Sequence, residues 1–289
     1  MKTFKFLRIL FLAIFSLSII SCTNNGEDDD MGSLSSSSGK SYKKLVQMNM
    51  KYDESEYDES EEERLYFNYD KNGTLTSLDY EYYVDGLFDE GETIYFKWDN
   101  NIISSSEDGF EWENLYQIQD GKAVKKLTGG AATEFEYDNN GHIAIIYSKN
   151  NRSKTIYTWK EGKLIKQTYS YISDSEWFYS ESENTEYSYY SHTPERCNGF
   201  FPNMALEYSG LYMFCAIPWI FGMEQQELPQ KIEIEDTNSA SSTIMRTKKL
   251  FTYTYYGDGY LKTCTERYSS AYGSNEPQNY TAVYEYFWQ

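Results

Sequence analysis

One motif returns along most of this chain: an aromatic-x-aromatic run, a polar turn carrying Asp and Gly, then Ile or Leu alternating with polar residues. Its clearest copy is FEYDNNGHIAIIY at 135–147. Looser copies are YFNYDKNGTLTSL (66–78), LYQIQDGKAVKKL (115–127), YTWKEGKLIKQTY (157–169) and YTYYGDGYLKTCT (253–265). Alternation with a period of two is a strand signal, and D-x-x-G between two such runs reads as a hairpin turn. The glycine takes the left-handed conformation, while the Asp carboxylate accepts a hydrogen bond from the backbone two residues on. Each copy is therefore one β-hairpin.

The turns align at Gly73, Asn101, Gly121, Gly141 and Gly162, with a late one at Gly259. Successive antiparallel hairpins need only short links, so they should lie side by side as an up-and-down meander of about 12–16 strands. A sheet of that size twists and cannot stay flat and open. The expected fold is all-β, a closed or partly closed barrel or a two-layered sheet. Phe135 and Tyr137 share one face, as do Tyr284, Tyr286 and Trp288. In KLIKQTY and YLKTCTERY, Lys, Gln, Arg and Glu stand opposite the apolar row. At the midplane of a bilayer each Lys or Arg would cost about 2–4 kcal/mol, which favours a water-soluble barrel over a membrane-embedded one.

The N-terminus reads as an export signal. Lys2, Lys5 and Arg8 precede an apolar run, Ile9 to Ile20, too short to span a bilayer. IISC at 19–22 resembles the lipobox of bacterial lipoproteins, which implies a signal peptide over 1–21 and lipid attachment at Cys22. Residues 22–40, TNNGEDDDMGSLSSSSGK after the cysteine, are polar and Ser-rich and read as a flexible tether. EDDD at 27–30 resembles the acidic signal that sends Bacteroidetes-type lipoproteins to the outer leaflet of the outer membrane. Residues 41–289 form a single β-meander domain.

With 45 acidic against 26 basic residues and a net charge of −19, the chain is repelled by phosphates and anionic headgroups, which argues against nucleic acid and against a polybasic membrane contact. Besides Cys22 there are Cys197, Cys215 and Cys264, without a C-x-x-C pair. Cys197 and Cys215 could close a disulfide, or all three could be buried thiols. The stretch 197–230 is apolar, carries three prolines and lacks the alternation. It should hold a short helix over 204–214 and otherwise irregular chain that fills the lumen or covers one end. YDESEYDESEEER (52–64) reads as a charged loop or strand edge that blocks edge pairing.

Chemical motifs are sparse, and no cofactor is implied. No H-E-x-x-H, G-x-S-x-G or P-loop occurs. His142, beside a turn glycine, and His192 read as loop residues. DGLFDEGE (85–92) gathers Asp85, Asp89, Glu90 and Glu92 around two glycines, an oxygen-rich loop that could suit calcium though it matches no EF-hand. The 30 Tyr, 16 Phe and 6 Trp suit a strand core. Trp112, in DGFEWEN, and Trp177, Phe178 and Tyr179, in SDSEWFYSESE, stand instead among acidic and Ser residues. Exposed rings beside carboxylates stack on sugars or serve protein interfaces. The reading is a non-catalytic surface lipoprotein that binds a glycan or protein through these residues. The alternatives are an accessory subunit of an outer-membrane assembly or a glycosidase using two carboxylates.

Tandem Y-x-Y-D-x-x-G-x-L hairpins, the lipobox and the late ALEYSGL…LPQKIEIE stretch (205–235) resemble a Bacteroidetes lipoprotein family of unknown function with a porin-like fold. The resemblance spans most of 41–289 and implies fold and anchoring, with no catalytic residues to carry over. Single copies also resemble the YD repeats of large bacterial surface and toxin-shell proteins, which are longer and more regularly spaced.

Overall fold

A computed structural model describes residues 43–53, 60–99, 101–128, 133–148, 152–172, 180–189, 220, 228–238, 243–273 and 275–289. Cys22, the leader, the tether, Trp177, Phe178, Tyr179, Cys197, Cys215, His192 and the helix expected over 204–214 lie outside these residues.

Sixteen strands follow one another: β1 Leu45–Asp53, β2 Glu61–Tyr69, β3 Leu75–Val84, β4 Leu87–Asp99, β5 Ile102–Ser106, β6 Glu113–Gln119, β7 Lys122–Lys126, β8 Thr133–Tyr137, β9 Ile143–Ser148, β10 Ser153–Lys160, β11 Lys163–Tyr171, β12 Ser180–Tyr189, β13 Pro229–Asn238, β14 Thr243–Tyr255, β15 Leu261–Tyr272 and β16 Gln278–Trp288. Each is hydrogen-bonded to its neighbours in sequence, and β16 pairs antiparallel with β1, so the meander closes into a barrel. Beyond that ladder, Lys44 and Gln289 exchange backbone hydrogen bonds of 2.7 and 2.9 Å.

The turn glycines sit where the repeat places them. Gly73, Gly121, Gly141, Gly162 and Gly259 all have φ between +72° and +87°, and all follow even-numbered strands, hence one end of the barrel. In the D-x-x-G turns the Asp70 carboxylate accepts from the Asn72 and Thr74 amides, and Asp138 accepts from those of Asn140 and His142, at 2.8–2.9 Å. Asp120-Gly121 and Glu161-Gly162 are tighter, with both residues at positive φ, the backbone of a two-residue hairpin whose twist matches its strands.

Alternation then sorts the side chains. Met48 and Met50, Leu65 and Phe67, Phe96, Phe135, Tyr157, Phe251, Cys264, Tyr284 and Tyr286 belong to one buried cluster drawn from around the barrel, so these rows face its interior. The rows between them point outward and carry Lys51, Arg64, Glu81, Lys97, Glu134, Lys166, Glu233, Lys248, Arg267 and Glu285. A lipid-embedded barrel has the reverse arrangement, an apolar band outside.

At the turn end the interior is closed by an apolar ring, Leu45, Leu75, Ile103, Ala123, Ile143, Leu164, Leu228 and Leu261, each no more than 3% exposed. Aromatic side chains at the ends of the even-numbered strands clamp this ring. Tyr69, Tyr137, Tyr189 and Tyr253 donate their hydroxyls, and Trp98, Trp159 and Trp288 their indole N–H, to the carbonyls of Leu45, Ala123, Leu164, Pro229, Leu75, Ile143 and Leu261 respectively, at 2.5–2.8 Å. In each case the acceptor is the first or second residue of the strand immediately before the aromatic residue's own. The motif therefore records a hydrogen bond to the preceding hairpin as well as core hydrophobicity. Near the end of β6 the corresponding interior position is Ile118.

Of the irregular apolar stretch, Ile220 and residues 228–230 are described, and Ile220 shows where it packs. It is 1% exposed in the core cluster, and its carbonyl accepts a 3.2 Å hydrogen bond from Tyr137. At that residue the stretch packs into the turn end of the barrel.

The charged run at 52–64 is not a strand edge. β2 is paired on both sides, so a closed barrel gives it no edge to guard. Its alternation sends Glu63 into the interior, 6% exposed, while Glu62 points outward to Arg64 at 2.7 Å.

Replacing Trp159 by Phe keeps the ring but leaves the Ile143 carbonyl without its donor. The expected loss is about 1–3 kcal/mol, read as a lower urea midpoint, and an unchanged midpoint would refute the clamp's stabilising role.

Candidate functional site

At the end opposite the turns, the β5–β6 link carries DGFEWEN. Its geometry is fixed by Asp108, whose Oδ1 accepts from the amides of Phe110 at 2.8 Å and Glu111 at 2.9 Å and from the Ser106 hydroxyl at 3.0 Å. The Ser106 hydroxyl in turn accepts from the Gly109 amide at 2.9 Å. These bonds, the Glu111 and Phe110 amides foremost, hold the Asp108 carboxyl below the ordinary carboxylate range. With its own side chain and three backbone groups engaged, the loop is built rather than loose.

What it presents is aromatic. Phe110 is 86% exposed and Trp112 is 41% exposed, so the sequence-based expectation that Trp112 stands outside the core holds. Beside the loop, Tyr95 of β4 is also exposed, and a Cβ placed on Gly109 would lie 3.8 Å from its ring. Glu107, Glu111 and Glu113 interleave with these rings. Sequence reasoning missed Phe110 and Tyr95. Phe110 sits inside the same quoted stretch, but Tyr95 occupies a strand position that only the register shows to be outward.

The oxygen-rich hairpin behaves differently from a calcium loop. Asp85 occupies the β3–β4 turn at φ 51°, and its carboxylate accepts from the Ser60 amide at 3.0 Å. The register carries Glu90 and Glu92 onto the interior row opposite Tyr82 and Tyr80, away from Asp85. Among the described residues no group of three or more His, Cys, Asp or Glu could hold a metal ion. The hairpin tip instead exposes Leu87 and Phe88.

Inside the barrel two charges are buried together. Lys249 Nζ lies 3.3 Å from Glu266 Oε1, with both side chains at most 4% exposed. Tyr284 donates to Glu266 Oε2 at 3.0 Å, and Lys249 stands 5.4 Å from the Tyr268 ring centroid. Removing one member would strand the other in a low-dielectric interior, whereas the intact pair roughly offsets its own desolvation. Among the described residues the other buried carboxylate, Glu63, is on β2, three strands away along the wall.

His142 is a structural side chain: it stacks on Trp159 at 4.6 Å between centroids, with Nδ1 3.3 Å from Asp138. Cys264 is a buried free thiol whose pKa is pushed well up by burial and then by Glu266, the opposite of a reactive cysteine.

No protein-family profile matches the chain, and no curated protein matches it. Among solved structures it is similar to a porin-like protein from Bacteroides uniformis, with 14% identity, 85% of this chain and 96% of that chain covered, and a TM-score of 0.61. A porin-like protein from Bacteroides vulgatus aligns over 86% of this chain and 99% of that one, with 14% identity and a TM-score of 0.47. The first likeness establishes the fold: a porin-like barrel of the kind anticipated from the hairpin repeats.

Glu92 offers a pH test of the rim. Burial, then Glu107 and Glu90, raise its pKa above the ordinary value. Ionised Glu92 therefore costs stability. That cost is absent below the ordinary Glu value of about 4.3, grows as pH rises through the raised value, and is complete above it. Glu92→Gln should raise the urea midpoint at neutral pH and leave it unchanged in acid. Equal shifts at both pH values would refute the assignment.

Proposed function

We propose that this protein is a lipid-anchored, surface-displayed barrel that binds a glycan without catalysis, through the aromatic rim of the β5–β6 loop. The observation that carries the reading is the exposure of Phe110 and Trp112 on a loop fixed by Asp108. Exposed apolar rings are expensive to hold in water and are retained where they contact something. A sugar ring offers an apolar C–H face to an aromatic plane, while its hydroxyls donate to carboxylates. Trp112 and Phe110 supply the planes, and Glu107, Glu111 and Glu113 supply acceptors within the same short segment. A loop already ordered in the free protein gives up little conformational entropy on binding. Trp177, Phe178 and Tyr179 follow the same pattern in sequence.

Anchoring at Cys22 fits this arrangement. The outward rows of the wall are charged, so attachment through a lipidated terminus would leave the barrel in water. The acidic EDDD stretch and the resemblance to Bacteroidetes lipoproteins support the outer face of the outer membrane as its place.

Trp112→Ala should abolish the tryptophan fluorescence change that a soluble polysaccharide from a panel of starch, xylan and mannan produces in the parent protein, with the urea midpoint unchanged. No response to any of them, or a response that survives in Trp112→Ala, would count against the rim. Cys22→Ser should prevent incorporation of labelled palmitate in cells, and undiminished labelling would refute the anchor.

A further inference from the structure

A second surface stands on different observations. On the outer wall of β14–β16, a groove of about 390 Å³ is lined by Lys248, Leu250, Arg267, Ser269, Asn279 and Thr281, with Tyr268 and Tyr280 between them on their strands. The register sets Leu250 opposite Arg267 and Lys248 opposite Ser269, then Arg267 opposite Thr281 and Ser269 opposite Asn279. The six outward side chains therefore form one continuous patch across three strands. Inside the wall beneath it, Tyr268 and Tyr280 stack at 4.3 Å between centroids, which fixes the spacing of β15 and β16.

The cations of this patch differ from two outward neighbours on β13 and β14. Nearby outward cations are neutralised: Arg246 by Glu235 at 3.3 Å and Lys231 by Glu233 at 2.8 Å. Among the described residues, Lys248 and Arg267 form no ion pair within 4.0 Å, in a chain where acidic residues outnumber basic ones 45 to 26. Two cations lining one groove repel each other weakly through water, and an oxyanion between them would remove that cost. A guanidinium offers a planar fork of N–H donors that matches a carboxylate, sulfate or phosphate, and an ammonium adds a point charge.

The remaining lining suits a hydroxylated framework. The Ser269 and Thr281 hydroxyls both donate and accept. Asn279 spends one N–H on the Pro277 carbonyl at 3.1 Å and keeps its side-chain oxygen as an acceptor. Leu250 gives an exposed apolar face. The volume is in the range of a small-molecule site. A long polyanion is disfavoured, because a net charge of −19 repels it beyond the patch.

We propose that this groove binds a saccharide carrying a single oxyanion, a uronate carboxylate or a sugar sulfate or phosphate. It does not rest on the rim reading: Trp112 lies between β5 and β6, and either site can fail without the other.

The test is calorimetry on the mature protein with galacturonate, galactose 6-sulfate, glucose 6-phosphate, neutral galactose and inorganic sulfate. At least one charged sugar should bind at least about ten-fold more tightly than galactose and than free sulfate, and more weakly as salt is raised. Arg267→Gln and Lys248→Gln should each weaken it roughly ten-fold, while Trp112→Ala should leave it unchanged. Both cations lie on the outer wall, so unchanged circular dichroism will show that the variants fold. No binding of any charged sugar, binding indifferent to both substitutions, or equal affinity for free sulfate would overturn the proposal.

Discussion

Each aromatic clamp ties the end of one strand to a carbonyl at the start of the strand before it. These neighbouring strands are already joined by a ladder, so the added bond acts on level rather than on pairing. It fixes how far the aromatic strand extends past the turn and turns its ring inward over the apolar ring formed by Leu75, Ile143, Leu164 and their equivalents. A one-residue slip of register would turn every interior side chain to solvent. It would also break the clamp, because the Tyr hydroxyl or Trp N–H would then point out of the barrel. The repeat thus specifies register twice, once by alternation and once by a directional hydrogen bond, and closure of β16 on β1 makes the specification circular.

Closure also decides what the charge can be. With the interior aromatic and aliphatic, most ionised groups occupy the outward rows or the links. The exceptions are instructive. Lys249 and Glu266 enter the interior as a pair, with Tyr284 satisfying the second carboxylate oxygen. Glu92 enters near the rim and holds its proton more tightly as a result. On the outer wall the departure is the reverse: Lys248 and Arg267 line a shared groove although carboxylates are abundant elsewhere.

Much of the fold was legible because the hairpin is a local structure. Gly141 with Asp138 announces a turn, Phe135 and Tyr137 announce a buried face, and short links force neighbours in sequence to be neighbours in space. Strand number came out at the top of the expected range because strands as short as β5 and β7 carry too few alternations to count securely. Closure was left open, since pairing of the first strand with the last is non-local and nothing in either strand alone announces it. The error over 52–64 has the same origin. A run of glutamates reads as a solvated edge when taken locally, but a closed barrel has no edge, and a period of two buries Glu63. Trp112 was legible by its company, an aromatic among carboxylates. Tyr95 and the Lys248–Arg267 groove were not, because each depends on which residues of three different strands stand side by side.

The two ends of the barrel have been built to different rules. At the turn end, apart from the long β12–β13 connection, links of two or five residues, left-handed glycines and the aromatic clamps leave little freedom, and of that long connection Ile220 and Leu228 are both buried. The opposite end receives the links that vary in length and composition, among them the Asp108 loop and the Leu87–Phe88 tip. Length in such links is tolerated because closing a longer loop costs little additional entropy. Recognition surfaces should therefore collect where variation is inexpensive, and the exposed apolar side chains of Phe110, Trp112, Leu87 and Phe88 all lie there. The groove on β14–β16 shows the other route: a rigid wall whose geometry is set from within by Tyr268 and Tyr280, and whose specificity is then written in the outward side chains alone.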